Sequence, residues 1–243
     1  NPEIKQPFEL ALKLAETYSP DLLLATDPDC DRVGIAVKHN NEYKLLTGNE
    51  VGALLFNYVA SRRIEKGIMP KNPIAVKTIV TTEVCHKIAK KYGVELIDVL
   101  TGFKFIGEQI GLLEDKGEEN RYIFGFEESY GYLAGSYVRD KDAVVASLMI
   151  AEMAAYYKLK GMSLKQFMDS IYEKYGMYLN SVLNFAFEGA SGMQKMTDIM
   201  SSLRENTPTS FADKKVVKVA DYKESAVKDI ITGESKVINL PKS

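Results

Sequence analysis

The chain has 243 residues, of which 46% are hydrophobic and 26% charged, with a formal net charge of −2 and two cysteines. This composition is typical of a soluble globular protein. The slight negative charge argues against binding to the nucleic-acid backbone, and no apolar run approaches the roughly 18 residues that span a bilayer. Because Cys30 and Cys85 provide neither a disulfide framework nor zinc spacing, and no signal peptide is visible, we expect a cytoplasmic protein that binds neither nucleic acid nor membrane.

The spacing of apolar residues predicts an alternation of helices and strands. The predicted helices cover residues 7–18, 50–66, 82–92, 105–113, 142–159, 163–175 and 191–203, and the predicted strands cover residues 22–26, 33–37, 74–80, 94–99, 122–126, 179–187 and 216–222. Thr81 or Thr82 is a suitable N-cap for the third helix, and Gly67 and Gly93 are suitable stops for the second and third. The alternation predicts an α/β fold, with layered domains in which mixed, largely parallel sheets are flanked by helices.

The loop after the first predicted strand carries Asp27, Asp29 and Asp31 at alternate positions. Side chains two residues apart in an extended or tightly turned segment point the same way, so the three carboxylates can converge at the end of the strand. Their mutual repulsion requires a cation. All-oxygen ligation favours Mg²⁺, Ca²⁺ or Mn²⁺ over zinc, and the adjacent Arg32 suits a phosphate group.

A solvated acidic turn and an EF-hand are the other interpretations of this loop. Asp and Pro favour turns, but turn propensity does not require three aspartates at period two, so the solvated turn is the lesser alternative. An EF-hand loop needs Gly at its sixth position and Glu at its twelfth. This chain has Arg32 and Lys38 at those positions, and the flanking segments have strand character.

Two lysines occupy positions where they could meet a ligand. Lys77 lies in the apolar run 74–80. A lysine buried in a strand is costly unless it is paired or serves a ligand; the alternative is an edge strand from which the amine reaches solvent. Lys104 follows Thr101 and Gly102 at a predicted strand-to-helix junction, where free N–H groups favour an anion. A glycine turn with an exposed lysine fits that spacing equally well.

The segment 125–131 after the fifth predicted strand carries two glutamates and a serine between glycines, among them Glu127 and Ser129. Carboxylate and hydroxyl groups together can hydrogen-bond a polyol, although an acidic surface turn is commoner. The charged run 139–142 is typical of a solvated helix start. The chain contains no GxSxG, Walker, HExxH or GxGxxG motif, and its two histidines neighbour no plausible nucleophile.

Four motifs together resemble those of the α-D-phosphohexomutases and occur in that family's order. They are the DxDxDR loop at residues 27–32, Lys77 with the threonines at 81 and 82, the segment 101–104 and the segment 125–131. The resemblance extends over essentially the whole chain and is closest to the bacterial phosphoglucomutase branch. It implies an α/β architecture of the phosphohexomutase domain type.

Members of that family have four domains. The resemblance implies that residues 1–47 are the C-terminal part of the metal-binding second domain and residues 48–180 the sugar-binding third domain. Residues 181–243 would be a linker and the incomplete start of the fourth domain. The first domain, with a phosphorylated serine, and the rest of the fourth would lie elsewhere in the parent protein.

The resemblance also implies roles for the charged residues. The aspartates of the loop 27–31 would hold Mg²⁺, and Arg32 would contact a phosphate group. Lys104 and Lys77 would stabilise charge or transfer protons near the reacting oxygens. A base role for either lysine would require a lowered pKa, because lysine is normally cationic.

Glu127 and Ser129 would bind sugar hydroxyls, and Thr101 and Gly102 would also contact the hexose phosphate or hexose bisphosphate. The implied reaction exchanges phosphate between C1 and C6 of glucose through a phosphoserine and a bisphosphate, and the chain alone would be inactive. Mannose phosphate, pentose phosphate and glucose 1,6-bisphosphate synthesis are alternatives within the family. A haloacid-dehalogenase-like Mg²⁺ phosphotransferase, with its first Asp as nucleophile, is a further alternative.

Overall fold

The computed structural model describes residues 2–181, 185–238 and 240. The described residues up to Asn180 form one compact unit, and those from Ser181 to Leu240 form a second. The helices and strands of the first unit are α1 (Glu9–Tyr18), β1 (Leu22–Thr26), β2 (Val33–His39), β3 (Glu42–Leu46), α2 (Gly48–Glu65), β4 (Ile74–Thr78), α3 (Val84–Tyr92), β5 (Glu95–Val99), α4 (Phe103–Glu114), β6 (Tyr122–Glu127), β7 (Gly131–Leu133), α5 (Ala143–Leu159) and α6 (Leu164–Tyr175).

Strands β1, β2 and β3 form an antiparallel meander. Thr26 pairs with Val33 at the end of the β1–β2 ladder, so the acidic loop 27–32 is the connection of this hairpin. Phe8 and Ala15 pack with Leu23 of β1 in a small apolar cluster on one face of the meander. The cluster anchors the strands from which the acidic loop projects.

A second sheet of four strands has the order β5-β4-β6-β7. Strands β4, β5 and β6 are parallel, and β7 is antiparallel to β6. Ile74 and Val76 of β4 pack with α4, whereas Ala75 joins the larger core formed with α2, α3, α5 and α6. Helices therefore cover both faces, and the predicted α/β fold with a mixed, largely parallel sheet is confirmed.

Short elements and one cap differ from the predictions for this unit. Strands β3 and β7 were not predicted: β7 has only three residues, and the alternation of exposed and partly buried residues in β3 is a strand signal that was missed. The N-cap of α3 is Glu83, without a side-chain cap, so Thr81 and Thr82 as caps are wrong. The backbone N–H of Thr82 instead donates to Asn49 Oδ1. Gly93 ends α3 in the left-handed region at φ 66°, as predicted.

The second unit begins with α7 (Gly189–Glu205) and continues with short antiparallel strands. These are β8 (Ser210–Phe211), β9 (Lys214–Lys215), β10 (Lys218–Asp221), β11 (Ala226–Asp229) and β12 (Ser235–Val237). The predicted helix at 191–203 is confirmed. The predicted strand at 179–187 is wrong for its described part, which leaves Leu179 and Phe185 exposed without a partner strand; residues 182–184 lie outside the described residues.

None of the helices in the described ranges combines the length and the hydrophobicity needed to cross a membrane.

Candidate functional site

The acidic loop brings its three carboxylates together. One side-chain oxygen from each of Asp27, Asp29 and Asp31 lies within 4.8 Å of the others. Asp27 is buried, Asp31 is half-buried and Asp29 is exposed. The loop is a turn, with Cys30 in the left-handed region at φ 58° and packed against the main core. The convergence predicted from the spacing is present, and of the extended and tightly turned forms considered it is the turned one that occurs.

Asp27 holds the loop in this shape. Its Oδ1 accepts hydrogen bonds from the backbone N–H groups of Asp31 (3.1 Å) and Arg32 (3.0 Å), and its Oδ2 accepts one from Arg32 Nε at 2.6 Å. Burial opposes ionisation of Asp27, but the hydrogen bonds from Arg32 outweigh it and lower the pKa of Asp27 to about 2. Because both oxygens already accept hydrogen bonds, the geometry disfavours Asp27 as a free nucleophile of the haloacid-dehalogenase type.

Lys141 supplies a positive charge to the loop, and sequence reasoning missed it. Its Nζ lies 2.9 Å from Asp31 Oδ2 and 3.2 Å from Asp140 Oδ1, and its side chain is only 16% exposed. The solvated interpretation of the run 139–142 is therefore wrong at this residue. Asp142, in the same run, has a different role. Its carboxylate caps α5 by accepting hydrogen bonds from two backbone N–H groups.

Asp31 keeps an oxygen that could bind a cation. Its Oδ1 is buried and accepts no hydrogen bond from the described residues, although the Arg32 Nε lies 3.7 Å away. Burial and the neighbouring Asp27 raise the pKa of Asp31 against the opposing effect of Lys141. A buried acceptor without a donor is costly unless a ligand satisfies it. The donor chemistry of the loop therefore fits a hard cation.

The acidic loop lies beside the loop that joins β6 to β7. The backbone N–H of Val33 donates to the Tyr130 carbonyl at 3.1 Å, and Arg32 forms an antiparallel β-bridge with Gly131. Tyr130 adopts a left-handed conformation at φ 68° to make this contact. Two motifs separated by about a hundred residues in the sequence therefore form one surface.

Glu127, at the end of β6, meets Lys141 at this surface. A Cβ atom at Gly131 would lie 2.5 Å from Lys141 Cδ and 3.0 Å from Glu127 Oε1, so only glycine leaves room for both side chains. Glu127 is 7% exposed. Burial raises its pKa, while Lys141 and a hydrogen bond with Ser129 oppose the rise. The structure thus places Glu127 and Ser129 next to the predicted metal loop.

Glu128 ties the same loop to the end of β4. Its Oε2 accepts a hydrogen bond from Thr78 Oγ1 at 2.9 Å and lies 3.5 Å from Thr81 Oγ1. Strands β4, β5 and β6 are parallel, so their carboxyl ends share one edge of the sheet. Ligands of open α/β sheets bind at that edge.

Lys77 is fully buried in β4, between β5 and β6, so the edge-strand alternative is wrong. Its Nζ lies 3.0 Å from Asp98 Oδ1 and donates to Glu83 Oε1 at 3.1 Å. It also donates to the carbonyls of Thr78 and Thr81 at 3.3 and 3.2 Å. Within the described part of the chain, no ion pair or hydrogen bond joins Lys77 to the acidic loop. Lys77 braces the β4–α3 turn, and its catalytic role stays a prediction.

The segment 101–104 begins α4 at the carboxyl end of β5. Gly102 is the N-cap, at φ 118° and without a side-chain cap. Lys104 is exposed, with its ammonium 4.7 Å from the centre of the Phe105 ring. An open groove of 570 Å³ beside it is lined by Lys104, Gly107, Glu108, Val138, Arg139 and Asp140. Asp140 connects this groove to Lys141, so Lys104 lies near the candidate site without contacting the acidic loop through the described hydrogen bonds.

Gly48, at the start of α2, supports the β6–β7 loop by close approach. A Cβ atom there would lie 2.0 Å from the Glu128 carbonyl oxygen and 2.8 Å from the Tyr130 amide nitrogen. Both atoms belong to the backbone and cannot rotate away. We expect Gly48→Ala to displace this loop and to lower the free energy of unfolding by about 1–3 kcal/mol in urea denaturation.

Gly111→Ala in α4 is the control for that substitution. A Cβ atom at Gly111 would meet nothing closer than Arg139 Nε at 4.0 Å. Alanine in a helix interior should leave stability unchanged or raise it by up to about 1 kcal/mol. Equal stability of the two variants would contradict the packing described for Gly48.

Two segments of the chain match models of one protein family. Residues 47–175 match phosphoglucomutase/phosphomannomutase, alpha/beta/alpha domain III, and residues 1–41 match alpha/beta/alpha domain II of the same family. The acidic loop lies in the domain II match. The segments 101–104 and 125–131 lie in the domain III match.

Individual proteins resemble the chain over most of its length. A phosphoglucomutase of Staphylococcus aureus is 38% identical over 244 residues, covering 100% of this chain and 43% of the relative. The chain thus spans less than half the length of that relative. Parafusin (phosphoglucomutase) from Paramecium has a similar fold, with a TM-score of 0.58 at 20% identity over 93% of this chain and 37% of that structure.

A phosphoglucomutase/phosphomannomutase family protein from Burkholderia thailandensis also has a similar fold. Its TM-score is 0.59 at 13% identity, over 93% of this chain and 43% of that structure. At these identities the two structural similarities bear on the fold alone.

Proposed function

Because the chain belongs to the phosphoglucomutase/phosphomannomutase family of α-D-phosphohexomutases, we propose that it is part of a phosphoglucomutase, an isomerase that interconverts glucose 1-phosphate and glucose 6-phosphate. The observation that carries the proposal is the contact between the acidic loop and the Glu127–Ser129 loop, which brings three carboxylates that could hold a cation next to groups that could hydrogen-bond a sugar. The 38% identity to a phosphoglucomutase supports glucose over other sugars.

Mg²⁺ is the cation that this loop would hold, through Asp27, Asp29 and Asp31. The all-oxygen donor set and the unpartnered Oδ1 of Asp31 fit a hard cation. When bound, Mg²⁺ would draw negative charge from the phosphoryl group that is transferred. Arg32 stabilises the loop by donating a hydrogen bond to Asp27. Its guanidinium group also extends toward Glu3, and from this position it could donate to a phosphate oxygen.

The sugar would be oriented by the β6–β7 loop. Glu127 can accept hydrogen bonds from two sugar hydroxyls, and Ser129 can accept or donate one. Lys141, between Asp31 and Glu127, would stabilise negative charge where the phosphoryl group and the sugar meet. Thr101, Gly102 and Lys104 would line the outer side of the same site.

A phosphoserine would transfer its phosphoryl group to C6 of glucose 1-phosphate and form a hexose bisphosphate. The phosphoryl group at C1 would then be transferred back to the serine, which leaves glucose 6-phosphate. The curated relative is more than twice as long as this chain, which covers 43% of it. We propose that the serine lies in the remainder of the parent protein, and that residues 181–243 are a linker and the incomplete start of its fourth domain. The 243 residues alone should therefore show no mutase turnover.

A coupled assay of the full-length parent protein tests this proposal. Glucose 1-phosphate should be converted to glucose 6-phosphate with a higher kcat/KM than mannose 1-phosphate or ribose 1-phosphate, and EDTA should abolish turnover. A higher kcat/KM for mannose 1-phosphate or ribose 1-phosphate would show that glucose phosphate is not the preferred substrate. Turnover by the 243-residue chain alone would contradict the placement of the serine outside it.

A further inference from the structure

A second cluster of polar side chains lies at the start of α3. None of its residues belongs to the acidic loop that would hold Mg²⁺ in the proposed mutase. The cluster consists of Glu83, His86 and Asp98, with one ligand atom from each lying within 4.8 Å of the others. His86 Nε2 lies 3.4 Å from Glu83 Oε2 and 3.2 Å from Asp98 Oδ2. The three side chains are 61%, 43% and 30% exposed in the order Glu83, His86 and Asp98. The cluster is therefore open to ions from solvent.

Lys77 contacts the two carboxylates of this cluster from the buried side. Its buried ammonium donates a hydrogen bond to Glu83 Oε1 at 3.1 Å and lies 3.0 Å from Asp98 Oδ1, an ion-pair distance without an aligned hydrogen bond among the described residues. The other oxygen of each carboxylate is the one that faces His86. Groups that hold metal ligands in place by hydrogen bonds are a regular feature of protein metal sites. Here the buried lysine holds Glu83 by a hydrogen bond and attracts Asp98 by its charge, and one oxygen of each carboxylate faces His86.

Two of the three separations between ligand atoms in the cluster fit a tetrahedral ion. Two ligands about 2.0–2.2 Å from a tetrahedral zinc ion are about 3.3–3.6 Å apart, close to the 3.2 and 3.4 Å between His86 Nε2 and the two oxygens. Within the described part of the chain, Nε2 makes no aligned hydrogen bond to either oxygen. The nitrogen is thus close to both carboxylates without donating to one of them.

We propose that Glu83, His86 and Asp98 bind a divalent transition-metal ion, Zn²⁺ being the best fit. One imidazole nitrogen and two carboxylate oxygens suit zinc, whereas Mg²⁺ prefers oxygen ligands alone. The two carboxylates and the ammonium of Lys77 leave the cluster with one net negative charge, which a divalent cation offsets. The exposed side leaves the fourth position to water or to a ligand. This site is separate from the acidic loop in both position and donor chemistry.

Zinc affinity is measured by competition with a chromophoric chelator, using the metal-free protein in excess Mg²⁺ to saturate the acidic loop. The wild type should bind one Zn²⁺. His86→Gln should weaken this binding about 100-fold or more, and Glu83→Gln about 10-fold or more, since loss of a direct ligand costs at least as much as loss of a supporting group. Co²⁺ in the wild type should give the intense visible absorption of a tetrahedral site, which His86→Gln removes.

Two controls separate this site from other zinc binding. His39→Gln removes the other histidine, whose ring nitrogens face Ser163 and Asn40 rather than carboxylates, and should leave the zinc affinity unchanged. Asp29→Asn should also leave it unchanged. The proposal is overturned if the wild type binds no Zn²⁺, if His86→Gln binds it within about twofold of the wild type, or if Asp29→Asn removes the binding. Circular dichroism spectra of the variants, compared with that of the wild type, check that each variant is folded.

Discussion

Asp29→Asn in the full-length parent protein is expected to lower mutase turnover about 100-fold or more while leaving the free energy of unfolding within about 0.5 kcal/mol of the wild type. Asp29 is the exposed member of the acidic loop, and no hydrogen bond or ion pair of its carboxylate is present among the described residues. Replacing the Asp29 carboxylate with an amide therefore removes no contact that stabilises the fold. A metal ion that stabilises the transferring phosphoryl group by several kcal/mol would lose a ligand, and about 1.4 kcal/mol corresponds to a tenfold change in rate.

Coupled assays at saturating Mg²⁺, with urea denaturation of the same samples, measure both effects. Asp115→Asn is the matched control, because Asp115 is an exposed aspartate at the end of α4, away from the loop. It should change neither turnover nor stability. If Asp29→Asn turns over substrate as fast as the wild type, Asp29 is not a ligand of a catalytic metal ion.

The largest effect on stability is expected at the buried lysine of β4. Asp98→Ala should lower the free energy of unfolding by about 2–4 kcal/mol, because it removes a carboxylate 3.0 Å from an ammonium that has no access to water. Lys77→Met should cost about half as much. Methionine fills a similar volume, and the carboxylates left without the lysine are not enclosed, since the side chains of Glu83 and Asp98 are 61% and 30% exposed.

Urea denaturation of both variants gives this ranking, with Asp21→Ala as the control. Asp21 pairs with Lys158 at 2.6 Å, but the two side chains are 61% and 67% exposed. Such surface pairs contribute about 0–1 kcal/mol. A Lys77→Met variant less stable than Asp98→Ala would mean that the lysine packs or bonds in another way.

Much of the fold around these residues follows from local patterns. The apolar runs that become β1, β4, β5 and β6 are bounded by turn residues, and the helices between them show regular apolar spacing, so their order predicts the α/β layers. The strand predicted at 179–187 fails for its described part because Leu179 and Phe185 have no partner strand among the described residues. A sequence pattern does not show whether a partner strand lies beside it.

In the candidate site, too, the local contacts are predicted from the sequence and the long-range contacts are not. The three aspartates are close in sequence, and their spacing alone predicts that they converge. Lys141 was missed because it lies in a run of alternating charge that resembles a solvated helix start, and its contact with Asp31 depends on a tertiary approach over 110 residues. The bracing of Lys77 by Asp98 depends likewise on the pairing of β4 with β5.

Paramagnetic broadening by Mn²⁺ tests most directly the claim that the acidic loop binds a metal next to the Glu127–Ser129 loop. The measurement uses the 243-residue protein carrying His86→Gln, so that the Glu83 cluster does not compete. Substoichiometric Mn²⁺ should broaden the amide signals of residues 27–33 and 127–131 before all others. If those signals stay sharp while others broaden, the loop is not the metal site and the proposed function loses its main support.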